Sequence, residues 1–264
     1  MQFHNRTILI TGAASGIGRS LALQMARAGA QLALLDCNEN GLRPLEETLK
    51  AEGHRCSIAV ADVRRRTEVH RAVDALTAEL GPFDIAVASA GIGGLSLVDD
   101  LRVEQLEAIV QVNFLGVVYT IEAVLPAMLR RHQGQIVGIA SLAAFRGLPF
   151  ESGYCASKAA LASYLESLRP ALRRRGVRVT TVFPGFVHTP LLHNLLAGSG
   201  ARAPWGTLDA ESAAQRVAAA IVREQRVCCF PTSTSWLMRT AGYLPPLVYD
   251  WVMTRIAKRI PLPY

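Results

Sequence analysis

Residues Thr7 to Gly18 read "TILITGAASGIG": a five-residue aliphatic and β-branched run breaks into small residues, and a helical pattern opens at once. An apolar run of that length suits a strand buried on both faces. Gly12 and Gly16 allow backbone conformations closed to other residues, and Gly18 lets the following helix lie close on the sheet. The helix start aims free N–H groups and the positive end of its dipole at the turn, which makes a seat for a pyrophosphate. A glycine-rich turn alone is weak evidence. Its position between a first strand and a first helix is what gives it weight.

The alternation continues downstream. After a helix from about Gly16 to Ala28 comes the strand "QLALLD", then a helix near Gly41–Glu52 and the strand "CSIAVAD". The amphipathic "TEVHRAVDALTAEL" leads to "FDIAVASAG", and a long helix around Val103–Arg131 leads to "GQIVGIAS". A further helix precedes "VRVTTVFPG", and "RVCCF" reads as a last short strand. Strands joined by helices in this way predict an α/β fold, a doubly wound parallel sheet (Rossmann fold) flanked by helices on both faces. With 264 residues, half of them hydrophobic, a single domain over 1–264 is expected. Within it, 190–208 reads as a flap on the substrate side and 236–264 as a hydrophobic, basic C-terminal extension.

The net charge of +7 is compatible with nucleic acid, anionic lipid or a phosphate-bearing cofactor. The runs Arg64–Arg66 and Arg173–Arg175 have no interleaved aromatics, so they read as solvated charge and no nucleic-acid partner is expected. Five cysteines in odd number, without metal-ligand spacing, and six scattered histidines imply neither a disulfide framework nor a metal site. "ILI" is too short for a signal peptide, and no run of roughly 18 apolar residues is present. A cytoplasmic location is expected, with a peripheral position at a membrane surface as the alternative.

Asp36 ends the second strand, where a carboxylate can accept both adenosine ribose hydroxyls and would repel a 2′-phosphate. Ser15 and Cys37 stand where a basic residue would welcome that phosphate, so NAD is favoured over NADP. Asp62 could accept the adenine amino group with Val63 offering its N–H, although an ordinary turn aspartate is nearly as good a reading.

"YCASK" places Tyr154 and Lys158 four residues apart, on one face of a helix. A phenol titrating near ~10 is a poor base at neutrality, and lowering it by about three units takes roughly 4 kcal/mol. A unit positive charge about 4 Å away supplies ~4 kcal/mol at an effective dielectric near 20, so a lysine ammonium is sufficient in size. The pair by itself is equally well a solvated helix face.

With "TGAASGIG", "NFLG", "GIAS", "YCASK" and "PGFVHTP" in this order, the chain resembles the short-chain dehydrogenase/reductase family from about residue 5 to 230. The resemblance implies a nicotinamide-dependent oxidoreductase acting on an alcohol or carbonyl without a metal, usually as a homodimer or homotetramer. It implies Tyr154 as acid/base, Lys158 as its partner, Ser141 as the substrate-orienting hydroxyl, and Asn113 as the asparagine that distorts its helix to hold a relay water. Gly12, Ser15, Gly16, Ile17, Gly18, Asp36, Asp62, Val63, Ala90, Gly91, Tyr154, Lys158, Pro184, Gly185, Val187 and Thr189 are then the expected cofactor contacts. Where the family often has Asn-Asn-Ala-Gly, this chain has Ala88-Ser89-Ala90-Gly91, which removes one side chain able to bridge neighbouring strands.

Ile92, Leu95, Phe145, Leu148, Phe186, Leu191, Leu192, Leu195 and Trp205 are expected around the substrate, a set that suits a hydrophobic or bulky alcohol or ketone better than a sugar, and the expected partner is a small-molecule hydrophobic alcohol or ketone. Arg146 and His188 could meet a polar group at the mouth, and Gly198 and Gly200 could hinge a lid. The extension mixes Trp251, Met238 and Met253 with Arg239, Arg255, Lys258 and Arg259 against Asp250. It could cover a neighbouring subunit, the favoured reading, or lie in a membrane interface. The expected activity is NAD-dependent interconversion of a hydrophobic secondary alcohol and its ketone. Its rivals are an NADPH-dependent ketoreductase and a dinucleotide sensor without turnover.

Overall fold

In the computed structural model, which describes residues 3–199, 203–204 and 206–258, seven parallel strands form one sheet in the order β3-β2-β1-β4-β5-β6-β9. These strands are β1 (Thr7–Thr11), β2 (Gln31–Asp36), β3 (Cys56–Val60), β4 (Ile85–Ala88), β5 (Gly134–Ile139), β6 (Val177–Pro184) and β9 (Val227–Phe230). β1, β4 and β5 are buried along their whole length, which is why they read as unbroken apolar runs. The strand order reverses between β1 and β4. In sheets of this kind the crevice for a ligand opens there, beyond the carboxyl ends of the strands.

Helices α1 (Gly16–Arg27), α2 (Glu39–Ala51) and α8 (Ala210–Val222) cover one face. Leu21 and Met25 of α1, Leu42 and Leu45 of α2, and Val217 of α8 join Ile8 and Ile10 of β1 in one core layer. The other face carries α3 (Arg66–Leu80), α5 (Gly116–Arg131) and α6 (Ser152–Arg174), with Leu76, Ile121 and Leu165 packed on Leu9 and Ile136. The sequence reading named no helix over Ala210–Val222. Its alanine-rich inner stripe, Ala213, Ala214 and Ala220, is buried where α8 packs on α1, and small residues permit that close approach.

α4 (Val103–Val110) and α5 form one continuous run, as expected, interrupted by a π-helical turn at Gln111–Leu115. This run is long and apolar enough to cross a membrane, but its apolar residues Val117, Ile121, Val124 and Met128 are buried in the second core layer. α7 (Pro190–Ser199) lies between two short strands, β7 (Val187–His188) and β8 (Leu208–Asp209), which pair in parallel outside the main sheet. This small sheet ties both ends of the expected 190–208 flap to the body. Gly198 falls in the last turn of α7, whereas Gly200 and Trp205 lie outside the described residues.

The chain ends in α9 (Thr232–Ala241) and α10 (Pro246–Ala257). Residues 259–264, including Arg259, lie outside the described residues.

Candidate active site

One cleft of about 740 Å³ runs along the carboxyl ends of the strands. Every expected cofactor contact lines it: Gly12, Ser15, Gly16, Ile17, Gly18, Asp36, Asp62, Val63, Ala90, Gly91, Tyr154, Lys158, Pro184, Gly185, Val187 and Thr189.

The β1–α1 turn is closed to larger residues. Gly12 sits at φ +70°, and a Cβ there would come within 2.7 Å of the Ala90 backbone. A Cβ on Gly18 would lie 2.2 Å from the Gly12 carbonyl oxygen. Such a cradle, at the start of a helix with no acidic residue in its first turn, fits a pyrophosphate approaching the backbone. Gly12→Ala is therefore expected to lower stability by about 2–4 kcal/mol and to abolish dinucleotide binding, since strain and collision add. Thermal unfolding and nucleotide titration check both; an unchanged melting temperature would contradict the packing described.

At the adenosine end, the Asp36 carboxylate is fixed by two backbone donors, Ala14 N–H at 3.0 Å and Asn38 N–H at 2.9 Å. A carboxylate in ionised form has further lone pairs for ribose hydroxyls. Asp62 is engaged differently from the adenine role expected. Its Oδ1 accepts from Arg64 N–H at 2.9 Å and its Oδ2 from Arg64 Nε at 2.8 Å, which holds the carboxyl below its ordinary range. Arg64 itself lines the cleft, so the Arg64–Arg66 run is not simply solvated charge; Arg65 and Arg66 do face outward, paired with Glu68 and Glu122.

Tyr154 and Lys158 reach the cleft floor from the first and second turns of α6. Ser141 lies just past β5. Its Oγ accepts from Ala143 N–H at 3.2 Å and is hydrogen-bonded to the Tyr154 hydroxyl. Lys158 is buried, and its Nζ donates to the Ile139 carbonyl at 2.8 Å while standing 5.8 Å from the Tyr154 ring centre. Two N–H groups of the ammonium remain for ribose hydroxyls.

In the protein alone, both side chains are shifted toward their neutral forms. Burial pushes the Tyr154 phenol up to about 12 and the Lys158 ammonium down to about 8. The hydrogen bond from Ser141 works against the rise but does not overcome it. Desolvation is the largest influence on the phenol, and the proton stays on Tyr154 at neutral pH.

Asn113 does not line the cleft. Fully buried in the π turn, it accepts from Ile92 N–H at 2.9 Å and donates to the Ile92 carbonyl at 2.9 Å and to Ser157 Oγ at 3.0 Å. It thus clamps the loop after β4 to α6 from behind. A π turn at this residue agrees with the helix distortion that the resemblance implied. Both its amide donors are spent on protein groups.

On the substrate side, Ile92, Leu148, Phe186, Leu191, Leu192 and Leu195 line the cleft. Leu95 lines a neighbouring depression instead, and Phe145 stacks on Phe183 at 4.7 Å in the core. Neither proposed mouth residue is free to meet a ligand there: Arg146 lies over the Tyr249 ring and donates to the Gly242 carbonyl, while exposed His188 lies outside the lining. Reading the sequence missed Glu151, Asn194, Thr234 and Met238. Glu151 was findable, because it lies one helical turn before Tyr154.

Burial raises the Glu151 carboxyl from 4.5 to about 7, and its charge in turn raises the Tyr154 phenol. A carboxyl whose folded value is raised binds more protons in the folded chain between those limits, so stability falls as pH rises from 4.5 to about 7. Glu151→Gln is expected to leave stability unchanged near pH 4 and to raise it by about 1–2 kcal/mol at pH 8. Denaturant melts at both pH values check this, and an equal effect at both would contradict it.

A parallel sheet whose first turn is a glycine cradle at a helix start, whose second strand ends in an acid lining the cleft and whose cleft holds a Tyr–Lys pair has the form of a dinucleotide-dependent oxidoreductase. The sequence profile described as short chain dehydrogenase matches residues 6–199. An uncharacterized oxidoreductase of Myxococcus xanthus is 37% identical across 95% of this chain and 97% of its own. Human estradiol 17-beta-dehydrogenase 11 is 32% identical across 90% of this chain and 79% of its own. The crystal structure of levodione reductase superposes with a TM-score of 0.79 and 26% identity, covering 89% of this chain and 99% of that one. The chain belongs to the short-chain dehydrogenase/reductase family, whose members are oxidoreductases using NAD(H) or NADP(H).

Proposed function

We propose that this protein is an NAD-dependent dehydrogenase that interconverts a hydrophobic secondary alcohol and its ketone. The observation that carries the reading is the cleft itself: Asp36 at one end, a hydroxyl-bearing floor at Tyr154 and Ser141, and an aliphatic wall between α6 and α7. A nicotinamide bound there supplies the hydride donor or acceptor. The chain's own residues do the rest. Ser141 and Tyr154 both present hydroxyls to the substrate oxygen; in ketone reduction these act as two donors to a developing alkoxide, and Tyr154 passes its proton to it.

With its phenol held near 12, Tyr154 is ready as an acid. Alcohol oxidation requires the proton to move the other way, and Lys158, with two free N–H groups, can stabilise the phenolate only as a second positive charge gathers beside it. Leu191, Leu192 and Phe186 exclude water from the reacting carbon. The similarity to an estradiol dehydrogenase supports a bulky apolar alcohol as substrate class.

The test is a panel of hydrophobic secondary alcohols with NAD, read by nicotinamide absorbance. Turnover with apolar alcohols and none with sugars is expected; the reverse order would overturn the substrate class. A second reading, reduction of a carbonyl with NADPH, is favoured by one observation, the guanidinium of Arg64 in the cleft wall. That guanidinium is paired with Asp62, with Arg64 Nη2 2.6 Å from Oδ2, which leaves Asp36 as the dominant charge at the ribose.

A further inference from the structure

α9 and α10 leave a set of large apolar side chains open to solvent. Tyr243 is 91% exposed, Leu247 85% and Trp236 73%, with Leu237, Val248 and Trp251 also open to solvent. α10 is apolar nearly all round yet buries fully only Tyr249, whose hydroxyl donates to the Gly147 carbonyl beneath the Arg146 guanidinium. A helix apolar on every side belongs in a core or against lipid, and a patch of this size on a protein surface marks an interaction site.

The charges select the occupant. Arg239, Arg255 and Lys258 are exposed on the same two helices against the single acid Asp250, in a chain of net charge +7. In a two-fold contact this face would meet a second face carrying the same excess of positive charge. An anionic bilayer meets them with opposite charge. The exposed aromatics are the type that settles at the headgroup level, and the Arg255 guanidinium lies 3.6 Å over the Trp251 ring, a cation placed beside an apolar anchor.

We propose that the outer face of α9 and α10 docks on an anionic phospholipid bilayer. The same α9 puts Thr234 and Met238 into the wall of the cleft, so docking sets the substrate side of the cleft next to the membrane. Resting here on the proposed function, a hydrophobic alcohol or ketone would enter from lipid rather than from water. This replaces the subunit contact favoured from sequence, because the surface shows an excess of one charge.

The experiment is co-sedimentation of the full chain with vesicles of phosphatidylcholine alone and of phosphatidylcholine with a quarter phosphatidylglycerol. Binding at least tenfold tighter to the anionic vesicles, weakened by high salt, is expected. Trp236→Glu/Leu247→Glu should reduce it at least tenfold while leaving the melting temperature and NAD affinity unchanged, and Arg255→Glu/Lys258→Glu should remove the preference for anionic lipid. No sedimentation with either vesicle, or binding indifferent to both double variants, would overturn the proposal. So would conversion of a soluble dimer to a monomer by Trp236→Glu/Leu247→Glu, which identifies a second copy as the occupant. NAD affinity and turnover in detergent-free buffer report on the proposed function independently of vesicle binding.

Discussion

Tyr154→Phe is expected to cut kcat by about 10²–10⁴-fold, a loss of roughly 3–5 kcal/mol of transition-state stabilisation. The substitution removes one oxygen from the cleft floor and keeps the ring, so the fold has no reason to change. Ser141 retains its bond to Ala143 N–H and still offers one donor to the substrate oxygen, which explains why some turnover should survive. NAD affinity should move little, because Gly12, Asp36 and Lys158 are untouched. Steady-state kinetics and a nucleotide titration on the same preparation separate these effects. A Phe variant with turnover within twofold of the parent would remove Tyr154 from the proton-transfer role altogether.

Asp36→Ser should invert the choice of cofactor. The carboxylate fixed by Ala14 and Asn38 is the negative charge a 2′-phosphate would have to approach, and its removal leaves Arg64 as the nearest cation in the wall. The expected result is a fall of about 10–100-fold in kcat/KM with NAD and a rise of about tenfold with NADP, together about 3–4 kcal/mol of altered preference. Releasing Arg64 with the further change Asp62→Ala should add to the NADP gain, since the guanidinium then loses both its partners on that carboxylate. A parent enzyme that already prefers NADP would contradict the role given to Asp36.

Much of this was legible in the amino-acid order because parallel-sheet strands are buried on both faces and leave unbroken apolar runs. The strands β1 to β6 and β9 and the helices between β1 and β6 follow from that contrast, and the glycine turn carries its own conformational reason. Other features depend on contacts between distant residues. α8 presents alanines to α1, a stripe with too little hydrophobic contrast to stand out in the sequence. The pairing of β7 with β8 joins segments twenty residues apart through only two residue pairs. Asn113 sits in the wall behind Ile92 rather than in the cleft, because the π turn rotates its side chain's partners in a way that helical spacing does not encode. Arg146 looked available to a substrate until α10 brought Tyr249 beneath it.

The largest revision concerns Tyr154. Charge counting along a helix suggested that Lys158, together with the charge of an oxidised nicotinamide, activates the phenol, whereas desolvation shifts both groups toward their neutral forms in the protein alone. Helical spacing gives proximity, whereas desolvation depends on what closes around the pair, here Leu142, Ile139 and the α7 leucines. On the proposed function, the ionisation that alcohol oxidation needs would then be tied to the positive charge of an oxidised nicotinamide.

That coupling can be measured as the ultraviolet titration of tyrosinate, taken as the difference between the parent protein and Tyr154→Phe, with and without saturating NAD. The account predicts a midpoint near 12 for the protein alone and a midpoint at least two units lower with NAD. A single midpoint, unmoved by the dinucleotide, would contradict it.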